Sequence, residues 1–472
     1  MTWNKDVIAS RKVRLGRDQR VDAIELVRSV IRENWFRRLV HLIEDAVPAH
    51  RTGRPRRHSS ATIALMVVLN QIFRSQVETE TYIRSLNHWE ALRRALTTAF
   101  PDDPLLKAGA PAPTRSVIRH AKAHFDEDLG SKIQRLLEAD ALLRAAFMGL
   151  GNNTGSKLEP SRNAILFGDG VVIRPPSDHL PGSVGVHPLT GEIRPRRYDP
   201  DATFHTNGLG ARVYGNVFCH LSAFTGHSGE QITFSVRPIL KGSGPTEAEH
   251  AAEMARTVKE SATGFSALTW DKALRSHTID QLWNLGLQPL VGVYDKTGRT
   301  TEVVRLDTHT VNGLRVKTVA HRGAVCIQGI GPQLIVLEPD RLTYHPNRTG
   351  TVRVYGTFRI PEGSPCDTRL WGRAITQRLN SRNKSDLVYG EHVRAIPPGT
   401  ERWKNLYGNR SLAESLNARY KARLLPGQRA RSYGQTKQWI DLCLTMLIWN
   451  TQATIVFSRR TGRSPSALAA AA

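Results

Sequence analysis

Between residues 163 and 290 the chain takes on a texture that few folds accommodate. Three apolar, β-branched runs appear, AILFGDGVVI, ARVYGNVFCHLSAF and QITFSVRPIL, and the last two are joined by a turn rich in Gly, Thr and Ser. Runs of this length bounded by turn residues predict strands, here three neighbours in one sheet. A helical pattern over 246–261 follows, then a short strand, FSALTWD, and a helix, SHTIDQLWNLG, that closes near Gly286. Strand-helix-strand alternation after consecutive strands predicts a mixed α/β sheet.

The rest of the chain is arranged around that segment. At 472 residues it exceeds what one core normally organises, so several domains are expected. Residues 22–150 read as helical: Ser59 or Ser60 caps a helix carrying Ile63, Met66, Val67 and Phe73, and Tyr82, Ile83, Leu86, Trp89 and Leu96 form a second apolar stripe. PDDPLLKAGAPAPT interrupts the period, and its Thr114 is placed to cap TRSVIRHAK. In that helix Arg115, Arg119, His120 and Lys122 take the polar side, with Val117, Ile118 and Ala121 facing inward. Residues 291–397 are β-rich, with one helix expected over 367–379; helices return at 410–425 and 435–457. The resulting division is a helical domain (1–160), a sheet-bearing core (161–290), a β-rich insertion (291–397), a helical completion of the core (398–460) and a disordered tail (461–472).

Charge narrows the partners. Sixty-six basic against 42 acidic residues give a formal +24, which points to polyanions, and nucleic acid first. A membrane surface is disfavoured because the basic residues are spread along the chain instead of forming one arm or amphipathic anchor. The opening MTWNKDVIASRKVRLGRDQR has no apolar core for a secretory signal, so a cytoplasmic, nucleoid-associated protein is expected. The most apolar stretch, 439–449, is too short to span a bilayer, contains Asp441, and reads as a buried helix. Cys219, Cys326, Cys366 and Cys443 stand far apart, and His205, His220 and His227 lack ligand spacing, so neither disulfides nor a zinc site are suggested. Gly-Ser-Gly at 242–244 lacks the Lys-Ser/Thr of a phosphate loop. Two basic stretches have two readings each. Arg54, Arg56 and Arg57 form a phosphate clamp or a linker, and the Arg115/Arg119 face contacts DNA or is simply solvated.

The sharpest local signal is YGNRSLAESLNARYK. Tyr407, Arg410, Glu414 and Lys421 stand at Tyr-x2-Arg-x3-Glu-x6-Lys spacing, and with Asn417 they fall within an arc of roughly 80° on one helical face. Leu412 and Leu416 point the other way. A carboxylate there can ligate a hard cation while Arg and Lys a turn away grip phosphate oxygens. Taken alone, the helix is also explained as a solvated one with an Arg410–Glu414 pair. The four-residue pattern, however, arises by chance in such a chain on the order of once in a few hundred, and it resembles the Tyr-Arg-Glu-Lys signature of a group of bacterial insertion-sequence DDE transposases.

That resemblance implies an RNase H-like α/β core with two catalytic aspartates on neighbouring strands and a glutamate on a later helix. Asp169, in the strand-like FGDGVVI, matches the first, although an Asp-Gly pair by itself is usually a turn. Asp271, ending ALTWD, matches the second but is followed by Lys272, Ala273 and Leu274 where the family more often has Arg-Gly-Tyr. Glu414 is the third. RYDPDATFHTNGLGARVYGN resembles a segment preceding the second strand in related enzymes; Asp199 and Asp201 within it compete for a metal but sit in a Pro-rich loop. By the same resemblance the three acids hold Mg²⁺ (or Mn²⁺), and Tyr407, Arg410 and Lys421 contact phosphates of the transposon end. The partners implied are double-stranded DNA and a second copy in a synaptic homodimer. Trp371, the only tryptophan in the insertion, is expected to pack in a core beside Leu370. Two other functions remain: a transposase-derived DNA-binding protein without catalysis, and another RNase H-like nuclease, against which the Tyr-Arg-Glu-Lys helix argues.

Overall fold

A computed structural model describes residues 21–48, 57–73, 75–85, 88–206, 210–240, 242, 244–293, 303–348, 351–381 and 388–465. Arg54, Arg56, Leu86 and the end of the tail (466–472) lie outside the described residues. The fold is mixed α/β. Among the described residues it begins with seven α-helices: α1 (Ala23–Arg32), α2 (Asn34–Ala46), α3 (Ser60–Ile72), α4 (Gln76–Arg84), α5 (His88–Ala99), α6 (Arg115–Ala123) and α7 (Glu127–Met148). Ser59 is the cap of α3, its hydroxyl accepting the Thr62 N–H at 3.1 Å, and every residue of this uncharged helix is buried. The second apolar stripe of the sequence is divided between α4 and α5.

The central sheet follows. β1 (Ile165–Ile173), a small hairpin of β2 (Val184–Val186) and β3 (Ile193–Pro195), β4 (Thr203–Thr206), β5 (Arg212–Phe224) and β6 (Gln231–Ile239) lead to α8 (Glu247–Ser261), β7 (Ala267–Thr269), α9 (His277–Asn284) and β8 (Gln288–Leu290). β1 lies between β5, antiparallel, and β7, parallel; β8 extends the sheet beyond β7, and β6 and β4 pair with the far side of β5. The three runs expected to be neighbours are therefore β1, β5 and β6.

Among the described residues between β8 and the next α-helix lie two further sheets. One is ordered β12–β11–β10–β9, from β9 (Val304–Val311), β10 (Leu314–His321), β11 (Ala324–Gln328) and β12 (Leu334–Val336). The other is formed by β13 (Glu338–Pro346), β14 (Val352–Arg359) and β15 (Ala374–Arg378). The helix expected over 367–379 is absent: one 3-10 turn, Thr368–Leu370, is broken by Gly372 at φ +67°, and β15 takes the remainder. Strand geometry lets Gln377, fully buried, reach inward to Asp307 (2.8 Å) and Thr318 (2.7 Å). Trp371 is 38 % exposed with its indole N–H on the Ser364 carbonyl, so the expectation of core packing does not hold.

Four α-helices follow among the described residues: α10 (Val388–His392), α11 (Glu401–Tyr407), α12 (Arg410–Lys421) and α13 (Gln435–Thr461). α13 has the length and apolarity to cross a membrane, but 94 % of its apolar window is buried inside the protein. The 439–449 run is thus the middle of a longer core helix. It packs on α7, α3, α1 and β6, and α7 and α13 both contribute to the two apolar cores, one centred on the N-terminal helices and one on the sheet and insertion. Asp199 and Asp201 seat its N-terminus. Asp201 Oδ2 accepts the Gln435 N–H at 2.7 Å, and Asp199 Oδ2 accepts from the Gly434 N–H and Gln438 Nε2, both at 2.9 Å. These acids satisfy orphan donors of a helix end and complement its dipole.

Buried charges stitch the helices together. Lys122 is 6 % exposed, with Nζ 2.7 Å from both carboxylate oxygens of Asp441 on α13 and 2.9 Å from Ser432 Oγ. Its assignment to a polar, solvent-facing side is corrected: α6 packs closely on α3, and the long lysine stem reaches a buried carboxylate. Arg144 on α7, 1 % exposed, likewise binds Asp140, Glu33 and Thr454.

A candidate metal centre

The β1–β7 ladder ends with the pair Phe167–Thr269. Asp169 and Asp271 each lie two residues further along, so their carboxylates emerge where the parallel strands part, the crevice in which open α/β sheets gather ligands. Asp271 Oδ1 accepts the Ala273 N–H at 2.8 Å, which fixes its carboxylate at the turn. A third acid arrives from α8. Thr246 and Glu249 form a reciprocal capping box that sets where this helix starts, and Glu247 is its first residue. Trp270, between β7 and Asp271, donates its indole N–H to Glu247 Oε1 at 3.0 Å. One carboxylate oxygen from each of Asp169, Glu247 and Asp271 lies within 4.8 Å of the others, an arrangement that could hold a metal ion.

The glycines on either side of Asp169 make this approach possible. A Cβ on Gly168 would meet the Trp270 ring at 2.1 Å, and one on Gly170 would stand 2.6 Å from Glu247 Oε2. The Gly-Asp-Gly run is therefore a strand with two bare positions, not a turn. We expect Gly170→Ala to displace Glu247 and weaken Mn²⁺ binding about 10-fold, the scale of a perturbed supporting contact. Titration calorimetry checks this, and unchanged affinity in the folded variant would remove Glu247 from the site.

The electrostatics match the crowding. Burial pushes Asp169 up to about 6; Arg410 opposes this, while Asp271 and Glu414 add to it. Burial pushes Glu247 up to about 7, with Asp271 and Asp169 contributing and the Trp270 hydrogen bond opposing. Carboxylates held in one place against mutual repulsion are stabilised by a cation, and their hard oxygens suit Mg²⁺ or Mn²⁺.

The signature helix lies over this crevice. Asn417 Nδ2 donates to Asp169 Oδ2 at 3.0 Å, and Arg410 Nη2 stands 3.6 Å from Asp169 Oδ1. Arg410 also grips Glu414, whose side chain is 56 % exposed and lies outside the three-acid group. Tyr407 ends α11; Gly408 and Asn409 keep helical dihedrals, so its phase continues into α12. Its ring stacks on Trp403 at 4.0 Å, and burial raises its hydroxyl in a field to which Arg410, Asp271, Glu414 and Asp169 contribute. Lys421 closes α12, partly exposed. Arg115 and Arg119 line a separate open cavity of about 450 Å³ with Arg84, Thr81, Thr114, Ser116 and Glu80, whose carboxylate pairs with Arg84 at 3.0 Å and with Arg115 at 3.8 Å.

Of the acids named from the sequence, Asp169 and Asp271 meet directly, and Glu414 reaches Asp169 through Arg410. Glu247 was missed. Its only sequence signal is an acidic residue directly after a helix cap, and that position gains meaning only once the start of α8 is known to return to the β1–β7 crevice.

The fold and the site define a mixed α/β protein with a three-carboxylate centre able to accept a metal ion. No protein-family model matches the chain, and no curated protein matches it.

Proposed function

We propose that the chain is a DNA transposase of the three-carboxylate, RNase H-like kind. The observation that carries this reading is the convergence of Asp169 and Asp271 at the ends of adjacent parallel strands, beneath the helix bearing Arg410, Glu414 and Asn417. Asp169, Asp271 and Glu414 are the ligands of divalent cations, which when bound supply Lewis acidity to the attacking and leaving oxygens of a phosphodiester. Arg410, Tyr407 and Lys421 orient the phosphates of the transposon end. In the first reaction water displaces the 3′-oxygen at the element's end, breaking that P–O bond and freeing a 3′-hydroxyl. In the second, this hydroxyl attacks a target phosphodiester, forming a new P–O bond as another 3′-oxygen leaves with its proton. The excess positive charge, together with Arg119 in the arginine-bearing cavity of α4 and α6, supports double-stranded DNA as the partner, and synapsis of two ends calls for a homodimer.

A second reading is favoured by one observation: the Glu414 carboxylate is engaged by Arg410 and does not join the other acids. A transposase-derived DNA-binding protein without catalysis fits that state. Strand cleavage of a duplex carrying the inverted repeats that flank the gene decides between the two. Mg²⁺- or Mn²⁺-dependent 3′-hydroxyl release, reduced at least about 100-fold in Glu414→Ala while end binding persists, is expected; a loss of that size is about 2.7 kcal/mol of barrier. Binding without cleavage by the wild type selects the second reading, and cleavage that survives the substitution rejects Glu414 as a ligand.

A further inference from the structure

We propose that Glu247 is a metal ligand, and that the centre assembles in order: a first cation sits on Asp169, Asp271 and Glu247 before DNA arrives, and Glu414 joins only when Arg410 leaves it for a DNA phosphate. The ordering rests on the transposase reading; the Glu247 assignment does not.

Glu247 is built into its place. Trp270 holds one of its oxygens at 3.0 Å, the missing side chain of Gly170 leaves room for the other, and the capping box fixes the helix from which it projects. An independent feature beside the acids calls for an occupant. His220 is the direct cross-strand partner of Asp169, so both side chains share one face of the sheet. It is 2 % exposed; its Nδ1 lies 3.4 Å from Ser222 Oγ and the ring interacts with the Asn417 amide, but its Nε2 makes no well-aligned hydrogen bond among the described residues. A buried nitrogen left unbonded across the sheet from Asp169 is explained by water of a hydrated cation on that carboxylate, which completes its hydrogen bonding. Mg²⁺ characteristically keeps several waters while taking a few carboxylates, as three acids around one position require.

Arg410 accounts for the ordering. It stands 3.6 Å from Asp169 Oδ1 and grips Glu414, so one guanidinium serves both acids while Glu414 remains largely in solvent. A phosphate offers a guanidinium bidentate, charge-assisted contacts that a single exposed carboxylate does not match. Drawing Arg410 onto DNA frees Glu414 on the same helical face, one turn away.

The test is Mn²⁺ binding by the full chain without DNA, followed by calorimetry and by the Mn²⁺ electron paramagnetic resonance signal. The wild type is expected to take up one tight ion. Glu247→Gln should weaken that binding on the order of 10-fold or more, Glu247→Asp should weaken it less, and Glu414→Gln should leave it unchanged. Arg410→Gln should admit a second ion without DNA. Circular dichroism checks that each variant folds, and Glu247→Asp serves if Glu247→Gln does not. Wild-type affinity in Glu247→Gln, no binding by the wild type, or dependence on Glu414 overturns the assignment; a stoichiometry unchanged in Arg410→Gln overturns the ordering. Mn²⁺ binding that depends on Glu247, in a chain that cleaves no transposon-end duplex, upholds the ion site and rejects the transposase reading. Cleavage that survives Glu247→Gln does the reverse.

Discussion

Asp169→Asn is expected to abolish cleavage of a transposon-end duplex, by at least about 10³-fold or on the order of 4 kcal/mol of barrier, without destabilising the protein. Asp169 is the one acid that touches every other part of the centre. It neighbours Asp271 and Glu247, accepts from Asn417 at 3.0 Å and faces Arg410 at 3.6 Å. An amide keeps the shape and the Asn417 side of the contact but gives up the negative charge. Stability should hold because the carboxyl is raised to about 6, chiefly by burial, which means its charged form is disfavoured in the folded chain. With the folded value above the unfolded one, ionisation opposes folding as pH rises through about 6, and a neutral amide removes that opposition. A melting temperature at pH 7.5, without divalent ions, equal to or above that of the wild type is therefore expected alongside the loss of cleavage. A substantially lower one would show that Asp169 is structural.

Lys122→Ala should have the largest effect on folding, about 3–5 kcal/mol by urea denaturation, because it leaves Asp441 as a buried carboxylate without its cation. Both side chains are under one-tenth exposed, and Ser432 and Gln71 supply only neutral hydrogen bonds to Asp441. The matching double variant, Lys122→Met with Asp441→Leu, is expected to recover most of that loss, since apolar replacements avoid the desolvation of both ions. Equal destabilisation by the single and double variants would show that packing, and not the unpaired charge, dominates at this junction.

What could be read from the sequence and what could not divide along a physical line. β1, β5, β6 and α8 announce themselves through local apolar runs and caps, and Asp169 and Asp271 are legible because each sits within or at the end of a strand-like run. The Arg410–Glu414–Asn417 face is equally local, since helical spacing alone aligns it. Lys122, Glu247 and the stretch 367–379 depend on distant partners. Lys122 looked solvated until α13 brought Asp441 to it. Glu247 was one more first-turn acid until Trp270 and Gly170 made a place for it. Residues 367–379 have a helical composition that β14 overrides by offering a ladder, with Gln377 bonded to Asp307 and Thr318 across the insertion.

The placement of α13 has a consequence for how the protein comes into being. Its buried residues complete both the helical layer and the back of the sheet, yet they come later in the chain than either. Until α13 has left the exit tunnel, α3, α7 and β6 have no partner for the faces that it covers, so synthesis of these earlier parts cannot be followed by their independent maturation. The sheet that carries the acidic crevice lacks its backing at β6 until α13 has emerged. A chain interrupted before α13 is therefore a substrate for chaperones and proteases, since the faces that this helix covers stay open.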